Sequence, residues 1–277
     1  MPELPEVECI VRDLRRCCVG KRITGVRFLY PGLLQGMEPA DFTRRVAGCL
    51  IQKVSRKGKY ILFYLSSGEV MEIHLRMTGN LLYYSNPITP NKYVRAIFFL
   101  NECSRLFFQD IRKFGTLRLW PKEKLPQAPS SLLGCDPLGA QFNPDTFRTL
   151  LQGKPARMIK SFLLDQGNIA GMGNIYTDEA LFRAGIHPAR KAGSLSLLEE
   201  ERLYEAICSI LQEAIALRGT SFANYRDLAG EKGGFRELLK VYRRKGQPCF
   251  RCGREIQRRV IAGRGTFFCR FCQPLAK

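Results

Sequence analysis

Two Cys-x-x-Cys pairs near the end of the chain constrain its fold more than any other feature. Cys249 and Cys252 form the first pair, Cys269 and Cys272 form the second, and sixteen residues separate the pairs. Four thiolates in two such pairs are typical of a structural site that binds one Zn2+ in a tetrahedron. A redox dithiol is the alternative for each pair. The spacing therefore predicts a small C-terminal module folded around zinc.

The sequence between the two pairs predicts a β-hairpin. Its strands are expected over 255–261 and 266–271, and Arg264 is expected to project from the turn over 262–265. Residues 241–277 contain ten Lys or Arg and one Glu. So much positive charge indicates a module that binds phosphate. A solvated turn arginine is the alternative interpretation of Arg264.

The whole chain is strongly basic, which favours a polyanionic partner. Its 277 residues include 44 Lys or Arg against 25 Asp or Glu, a net charge of +19. Nucleic acid and an anionic membrane are the two candidates. No apolar run approaches the ~20 residues of a membrane-spanning helix, so nucleic acid is the preferred partner and no membrane is expected.

The remaining seven cysteines are scattered and odd in number, which does not suit a framework of disulfides. They are Cys9, Cys17, Cys18, Cys49, Cys103, Cys135 and Cys208. The N-terminus shows no basic region followed by an apolar one, so a secretory signal is not expected. A reducing cytosol is therefore the expected compartment.

Patterning divides the chain into four parts, and the expected fold class is α+β multidomain. Residues 1–120 begin with an amphipathic helix over 4–19 and continue in short alternating runs typical of a β-sandwich or barrel. Four prolines in residues 121–137 indicate a hinge linker. Residues 138–240 are mainly helical, and residues 241–277 form the cysteine module. The predicted strands are 23–29, 50–54, 60–65, 70–75, 80–84, 95–99, 105–109 and 116–120.

Capping residues mark the helices of the third part. Asn143 followed by proline is typical of a helix start. Two further helices are expected over 158–166 and 174–185. A capping box at 196–199 opens a long amphipathic helix. The polar, glycine-bearing residues 219–240 are expected to form a mobile loop.

A glycine-rich turn, Gly171-Met172-Gly173-Asn174, leads into the helix predicted over 174–185. Glycines allow close approach, and the free N–H groups of a helix start suit a phosphate. The Asn174 side chain can donate a further hydrogen bond. An ordinary glycine turn before a helix is the alternative.

A potential amine nucleophile and three acids lie in the first eight residues, MPELPEVE. A chain that starts Met-Pro is suited to removal of its methionine, which leaves Pro2 with a free secondary amine. A terminal amine titrates at roughly 7.7–8.0, against about 10.4 for lysine, and is therefore partly nucleophilic near neutral pH. An ordinary helix start is the alternative, because proline and acids are favoured in a first turn.

Five motifs, in order along the chain, together resemble the formamidopyrimidine-DNA glycosylases. They are PELPEVE at 2–8, HLRMTG at 74–79, DIRKFG at 110–115, GMGNIYTDEALFRAGIHP at 171–188 and GRGTFFCRFC at 263–272. The resemblance implies an N-terminal helix plus β-sandwich, a helical domain with a helix–two-turn–helix motif and a C-terminal zinc-finger β-hairpin. It also implies that double-stranded DNA with an oxidised base binds between two lobes, with the damaged base flipped out.

The resemblance further implies a division of roles in the N-terminal part. Pro2 attacks the anomeric carbon, expels 8-oxoguanine or a formamidopyrimidine, and forms a Schiff base that is resolved by β- and δ-elimination. Glu3 is the general acid/base at the sugar, and Glu6 is an assisting carboxylate. Lys59 is grouped with them as the lysine that holds the phosphate beside the lesion. Lys57 is the alternative for that role.

Eight further residues match DNA contacts of the family. Met77, Arg112 and Phe114 match the trio that fills the gap left by the flipped base, with Phe114 as an apolar wedge. The matched phosphate contacts are His74, Lys160, Asn174, Tyr242 and Arg264. Ordinary packing is the alternative for the apolar members and for the histidine. Residues 219–225 match the family's loop over the flipped base, but their sequence and the polar Asn168 depart from the usual pattern.

Two other functions are compatible with parts of this pattern. A glycosylase of the endonuclease VIII type would prefer oxidised pyrimidines, but PELPEVE and the pair Arg112 and Phe114 favour the first family. A non-catalytic, zinc-dependent DNA-binding protein would explain the charge and the finger without chemistry at Pro2. We expect a monomeric, cytoplasmic, nucleoid-associated enzyme with one structural Zn2+.

Overall fold

Two units make up the described residues, which are 1–101 and 103–275 of the computed structural model. Unit 1 contains Met1–Leu132 and Ile215–Arg236, and unit 2 contains the other described residues. Buried apolar side chains form a core within each unit. We describe the two units separately.

Helix α1, Leu4–Cys18, opens unit 1 where the sequence predicted a helix over 4–19. One face of α1 is buried in the core of the unit. The Arg15 side chain donates to the Val54 carbonyl at 2.8 Å, and Arg56 pairs with Glu8 at 3.0 Å. These contacts attach the helix to the second strand of the chain.

Two antiparallel four-stranded sheets follow within the described part of unit 1. The strands are β1 Ile23–Phe28, β2 Ile51–Lys57, β3 Tyr60–Leu65, β4 Glu69–His74, β5 Gly79–Tyr84, β6 Val94–Leu100, β7 Arg105–Asp110 and β8 Thr116–Pro121. One sheet has the order β1-β6-β7-β5 and the other β2-β3-β4-β8. Each strand lies where the sequence predicted one, with ends shifted by up to three residues. The predicted β-sandwich is confirmed.

Helix α2, Pro39–Val46, was not predicted from the sequence. Proline occupies its first turn, where a missing N–H costs nothing. Phe42 and Val46 are its buried residues and pack in the core of unit 1. Two apolar positions four residues apart are too short a pattern to identify a helix from sequence alone.

The segment 215–236 belongs with the sandwich, whereas the sequence grouped it with the helical part, 138–240. Arg218 explains the difference, because its guanidinium forms ion pairs with Asp13 and Asp227. Leu228 is buried in the core of unit 1. Contacts between residues so distant along the chain leave no local sequence pattern.

The proline-rich residues 121–137 are more regular than the predicted linker. Lys122–Gln127 forms a 3-10 helix. Ser130 is buried, and its N–H donates to Glu72 at 3.2 Å. The first part of this segment therefore packs on unit 1.

Unit 2 contains four α-helices within the described residues. They are α3 Pro144–Gln152, α4 Ile159–Leu164, α5 Asn174–Ala184 and α6 Leu197–Ala216, whose last two residues belong to unit 1. Asn143 caps α3 by accepting the Thr146 N–H at 2.9 Å. Ser196 and Glu199 form the predicted capping box of α6. Helix α4 ends before the predicted residue 166, because Asp165 accepts the Gly167 N–H and starts a turn.

The zinc hairpin is shorter than predicted. Its strands are β9 Gln257–Ile261 and β10 Arg264–Phe268. The turn has two residues, Ala262 and Gly263, with φ of 53° and 68°. Such a turn matches the twist of two adjacent strands. Arg264 is therefore the exposed first residue of β10 rather than the tip of a four-residue turn.

A fully buried ion pair joins α4 and α5 to strand β10. Lys160 Nζ lies 2.6 Å from Asp178 Oδ1, and neither side chain is exposed. Lys160 Nζ also donates to the Gly265 carbonyl at 3.4 Å. The other Asp178 oxygen accepts the Phe267 N–H at 2.9 Å. Burial raises the pKa of Asp178, in opposition to the nearby Lys160 ammonium.

Hydropathy gives no sign of a membrane span. Among the described residues, no helix is both long and apolar enough to cross a bilayer.

Replacing Lys160 with methionine removes the partner of a buried carboxylate. We expect Lys160→Met to lower the free energy of unfolding by about 3–5 kcal/mol, because breaking a buried pair leaves an uncompensated charge. The double variant Lys160→Met/Asp178→Asn keeps an acceptor for the Phe267 N–H and should recover at least half of this loss. Urea denaturation of the zinc-loaded proteins measures both values. Equal losses in the single and double variants would contradict the ion-pair account.

Candidate active site and zinc centre

The carboxylate of Glu6 holds the start of helix α1 in place. One oxygen accepts the Glu3 main-chain N–H at 2.7 Å, and the other accepts the Thr220 main-chain N–H at 2.7 Å. The Glu6 side chain is buried, so both charge-assisted hydrogen bonds form away from water. Glu3, which is the N-cap of α1, is therefore held beside the segment that begins at Gly219.

Gly219 occupies a position where a larger residue would be strained. Its φ is +81°, and a Cβ atom would lie 2.7 Å from Glu6 Oε1. The Tyr225 hydroxyl donates to the Glu6 carbonyl at 3.4 Å. Residues 219–225, predicted to begin a mobile loop, are therefore anchored at both ends to the first turn of α1.

Pro2 lies directly before this turn and is buried. Its nitrogen is part of the peptide bond with Met1, whose side chain is exposed. An amide nitrogen is not nucleophilic, so the chemistry predicted for Pro2 requires removal of Met1. Glu3 and Glu6, both buried, follow within the next four positions. The structure thus gathers the three predicted N-terminal residues at one end of α1.

Lys59 and His74 lie close together at the ends of neighbouring strands. Lys59 is in the two-residue turn between β2 and β3, and the next residue, Tyr60, pairs with His74 on β4. The ring centroids of Tyr60 and His74 are 4.5 Å apart. Lys57, the alternative for the phosphate role, is the last residue of β2.

Burial makes His74 a neutral side chain. Together with the positive charges of Arg76 and Lys59, burial lowers the pKa of His74 to about 3. His74 Nδ1 accepts the Arg76 N–H at 2.9 Å, which leaves Nε2 to carry the hydrogen of the neutral ring. His74 therefore suits a neutral N–H donor, and it also fits the alternative of a satisfied buried histidine.

The buried carboxylate of Asp110 organises the turn that carries Arg112 and Phe114. It accepts the Arg112 N–H at 3.1 Å and the Gly115 N–H at 2.8 Å. The Thr78 hydroxyl donates to the same carboxylate and accepts the Arg112 N–H at 3.0 Å. Asp110 thereby links this turn to the residues between β4 and β5.

Two large apolar side chains are exposed on these linked turns. The exposed fraction is 42% for Met77 and 50% for Phe114. The Arg112 guanidinium lies over the Phe114 ring, 4.6 Å from its centroid. This exposure argues against core packing of Met77 and Phe114, and it suits insertion into a base stack.

In unit 2, Asn174 and Arg264 are neighbours across the contact of α5 with the hairpin. Asn174 is the first residue of α5, and its Nδ2 donates to the Gly265 carbonyl at 2.8 Å. An amide group has a second hydrogen, which can serve a phosphate. Arg264 precedes Gly265 and is exposed.

Tyr242 is held by a buried acid on α5. Glu179 accepts the main-chain N–H groups of Lys240, Val241 and Tyr242 at 2.7 to 2.9 Å. Burial raises the pKa of Glu179, against these three hydrogen bonds, which lower it. The Tyr242 ring packs on Phe267 of β10, with centroids 5.3 Å apart. The carboxylate thus fixes the residues that lead into the finger.

The phosphate contact predicted for Lys160 is corrected by the structure. Its side chain has no exposed surface, and its ammonium is paired with Asp178. A lysine is fully buried only when it is paired, and this one supports the hairpin from inside.

Four cysteines form a tight cluster in unit 2. Their Sγ atoms all lie within 4.8 Å of one another. Cys249 and Cys272 are 3.8 Å apart, and Cys252 and Cys269 are 3.5 Å apart. A tetrahedron with Zn–S bonds of about 2.3 Å has S···S separations of about 3.8 Å. The cluster therefore fits one structural Zn2+, as the spacing predicted.

Sequence reasoning did not identify Asp110, Glu179 or Thr220 as organising residues. For Asp110 a signal existed, since an aspartate side chain often accepts the main-chain N–H two residues on and starts a turn, as Asp110 does with Arg112. For Glu179 and Thr220 the partners lie more than sixty positions away along the chain. Such contacts leave no pattern in a single sequence.

Family models match the three parts in the order that the fold displays, which is the architecture of a zinc-finger DNA glycosylase. The formamidopyrimidine-DNA glycosylase N-terminal domain matches residues 1–117. The H2TH domain of the same glycosylase matches 133–225, and the zinc finger found in FPG and IleRS matches 246–275.

Similar proteins span the whole chain. The formamidopyrimidine-DNA glycosylase of Desulfitobacterium hafniense (strain DSM 10664 / DCB-2) is 46% identical, over 99% of this chain and 100% of its own. The MutM (Fpg) crystal structure from Thermus thermophilus is 39% identical, with a TM-score of 0.88 and full coverage of both chains. The chain therefore belongs to the formamidopyrimidine-DNA glycosylase family.

Two further solved structures contain DNA. A glycine-to-proline variant of Lactococcus lactis FPG, in complex with a Fapy-dG containing DNA, has a TM-score of 0.91. MutM in complex with carbocyclic 8-oxo-G containing DNA has a TM-score of 0.90. Both are 35% identical and cover 99% of this chain and 100% of their own.

The buried, neutral state of His74 makes stability depend on pH. Unfolding exposes the imidazole, which then binds a proton near its ordinary pKa of 6.5. The stabilisation is fully present above that value and is lost as the pH falls toward about 3. His74→Asn keeps an acceptor for the Arg76 N–H but cannot titrate. We expect its stability to fall less steeply with acid, by up to about 1.4 kcal/mol per pH unit.

Urea denaturation of wild type and His74→Asn at a series of pH values from about 7 to about 4.5 measures this difference. Curves that remain parallel over the whole range would contradict a buried neutral His74.

Removal of a zinc ligand should unfold the finger and weaken DNA binding. We expect Cys249→Ser to lose the metal and to bind duplex DNA at least about tenfold more weakly, because structural zinc sites supply folding energy. Zinc content and fluorescence-anisotropy titrations measure both effects. Cys103→Ser, which changes an exposed cysteine of unit 1, should retain one zinc ion and full affinity. Undiminished zinc content in Cys249→Ser would refute the assignment.

Proposed function

We propose that the protein excises 8-oxoguanine and formamidopyrimidines from duplex DNA and then cleaves the strand at the abasic site. The observation that carries the proposal is the N-terminal site, where Pro2 precedes Glu3 and where the Glu6 carboxylate binds the helix start to Thr220. Membership of the family supports the reaction. The related complexes with Fapy-dG and 8-oxo-G DNA support the choice of lesion.

The chemistry requires a free amine at Pro2. After Met1 is removed, the nitrogen lone pair attacks the anomeric carbon, and the bond to the base breaks with its electron pair leaving on the base. The nitrogen then loses its proton, and the departing base takes up a proton, so that charge balances. Proton transfer at the sugar by Glu3 then opens the ring and leaves an iminium ion. A secondary amine has no hydrogen left in this iminium, so the cation persists and acidifies the adjacent sugar carbon. That acidity promotes β-elimination and then δ-elimination.

A gap remains in the duplex when the damaged base is flipped out. Met77 and Phe114 are the exposed apolar side chains that would fill it, and Arg112 would pair with the cytosine left without a partner. The hydrogen bonds of Asp110 to the turn pre-order these groups before DNA binds. Pre-ordering lowers the entropy cost of insertion.

Phosphate groups of the strand would be bound by cationic and neutral N–H donors. Lys59 would hold the phosphate beside the lesion, with neutral His74 as a second donor. The other proposed phosphate contacts are Asn174, Tyr242 and Arg264. Lys160 supports the hairpin that carries Arg264 rather than touching DNA.

The proposed substrate also determines where the protein acts. Chromosomal DNA is the source of oxidised bases, so we expect a cytoplasmic, nucleoid-associated protein. A monomer suffices for this role, because the catalytic and DNA-binding groups named above belong to one chain.

Borohydride trapping on a duplex with 8-oxoguanine opposite cytosine tests the proposal. The methionine-free protein should form a covalent adduct, because borohydride reduces an iminium to a stable amine. Pro2→Gly should reduce the adduct at least about tenfold, because it replaces a secondary amine fixed in a ring with a primary amine that can rotate freely. A retained Met1 should abolish the adduct and leave DNA affinity within about twofold, because the phosphate contacts are unchanged.

Three results would count against the proposal. No adduct from the methionine-free protein would favour a non-catalytic DNA-binding protein. An undiminished adduct from the protein that retains Met1 would refute the Pro2 amine as the nucleophile. Faster excision of thymine glycol than of 8-oxoguanine would favour the pyrimidine-specific type.

A further inference from the structure

Residues 222–224 form a tip next to the N-terminal site, and two of them, Ala223 and Asn224, are exposed. The chain enters the tip after Thr220, whose N–H is bonded to Glu6, and leaves it at Tyr225, whose hydroxyl donates to the Glu6 carbonyl. Under the proposed function, the damaged base is attached to the carbon that the N-terminal amine attacks. A flipped base therefore comes within reach of this tip.

The side chain of Asn80, on strand β5, forms hydrogen bonds to the main chain on both sides of Tyr225, at the end of the tip. Its Nδ2 donates to the Asn224 carbonyl at 3.0 Å, and its Oδ1 accepts the Arg226 N–H at 3.0 Å. The side chain is buried. An amide can donate and accept at once, which a carboxylate cannot do. Asn80 therefore satisfies two main-chain groups of opposite polarity, one in the last residue of the tip and one two residues after it.

The position of β5 in its sheet explains why the segment binds there. Strand β5 is outermost, so the N–H and C=O groups along one of its edges can pair with another segment. The Tyr83 N–H donates to the Leu228 carbonyl at 3.0 Å, and Leu228 is buried in the core of unit 1. Residues 224–228 thus bind to this edge through the two hydrogen bonds of the Asn80 side chain and one main-chain hydrogen bond.

Asn80 also lies near the turn that carries the gap-filling Met77. Its Nδ2 is 3.3 Å from the Thr78 carbonyl, and the Thr78 hydroxyl is bonded to Asp110. The short segment 77–80 therefore supports both the tip and the side chain that would replace the flipped base.

We propose that Asn80 is a positioning residue for base recognition. It fixes the tip where a flipped base enters and joins the tip to the turn that carries Met77. The inference rests on the proposed function, because it assigns the tip to the base that Pro2 releases. An abasic site has no base, so Asn80 should matter for excision of a damaged base and not for cleavage of an abasic strand.

Single-turnover rates of Asn80→Ala on two duplexes of the same sequence test this prediction. One duplex carries 8-oxoguanine and the other a preformed abasic site. The ratio of base excision to abasic cleavage should fall on the order of tenfold, the effect expected from losing about one net hydrogen bond. Tryptic cleavage after Arg226 should become faster, because the Arg226 N–H loses its hydrogen bond to the Asn80 side chain. A purely structural role would slow both reactions together.

Asn91→Ala is the matched control, because the Asn91 side chain also donates and accepts at once. It donates to Gln109 and accepts the Tyr93 N–H on an exposed turn of the same unit. This variant should leave the ratio unchanged. Asn80→Asp has nearly the same shape and keeps an acceptor for Arg226 but cannot donate to Asn224. It should lower the ratio even if the alanine variant folds poorly.

The remaining outcomes distinguish a failure of this inference from a failure of the proposed function. Unchanged ratios in both Asn80 variants, or an equal fall in Asn91→Ala, would overturn the inference while the proposed function stands. A wild-type protein that acts on neither duplex would refute the proposed function and, with it, the inference.

Discussion

The rest of the N-terminal site depends on one buried carboxylate, that of Glu6. Burial of a charged carboxylate is costly unless donors replace the water that it loses. Glu6 finds two such donors, the Glu3 N–H at the start of α1 and the Thr220 N–H in a segment more than two hundred positions away. The close approach of Gly219 leaves no space for another side chain. The start of α1 and the tip are therefore connected through Glu6 and are already ordered without DNA.

A buried acid that accepts main-chain N–H groups is found at two other places where functional side chains lie on irregular backbone. Asp110 accepts the N–H groups that shape the turn of Arg112 and Phe114. Glu179 accepts three successive N–H groups in the residues that carry Tyr242. In each case a buried acid orders a loop by accepting its main-chain N–H groups. A basic protein thus places several of its acids where they order loops rather than on the DNA-binding surface.

Local patterns allowed much of the fold to be predicted, and long-range contacts account for the rest. Short strand-like runs, several of them alternating in polarity and bounded by Gly, Pro and Asn, identified the eight sandwich strands, and cysteine spacing identified the zinc site. The turn of the hairpin was predicted too long, because the two-residue turn requires a positive φ at Ala262, which is uncommon for alanine. Lys160 was assigned to a phosphate contact from its match to the family, and its burial could not be predicted because it depends on Asp178, on another helix. The residues 219–225 were recognised as a functional loop, but their attachment to Glu6 and Asn80 is visible only in the fold.

Mass mapping of the borohydride-trapped complex tests the central claim most directly. The claim is that the Pro2 amine, next to the helix start that Glu6 holds in place, is the nucleophile. After nuclease and protease digestion, the account predicts that the added sugar mass lies on the peptide that begins at Pro2, with fragment ions placing it on the proline nitrogen. An adduct on Lys59 or on any other lysine, with an unmodified Pro2 peptide, would contradict the account.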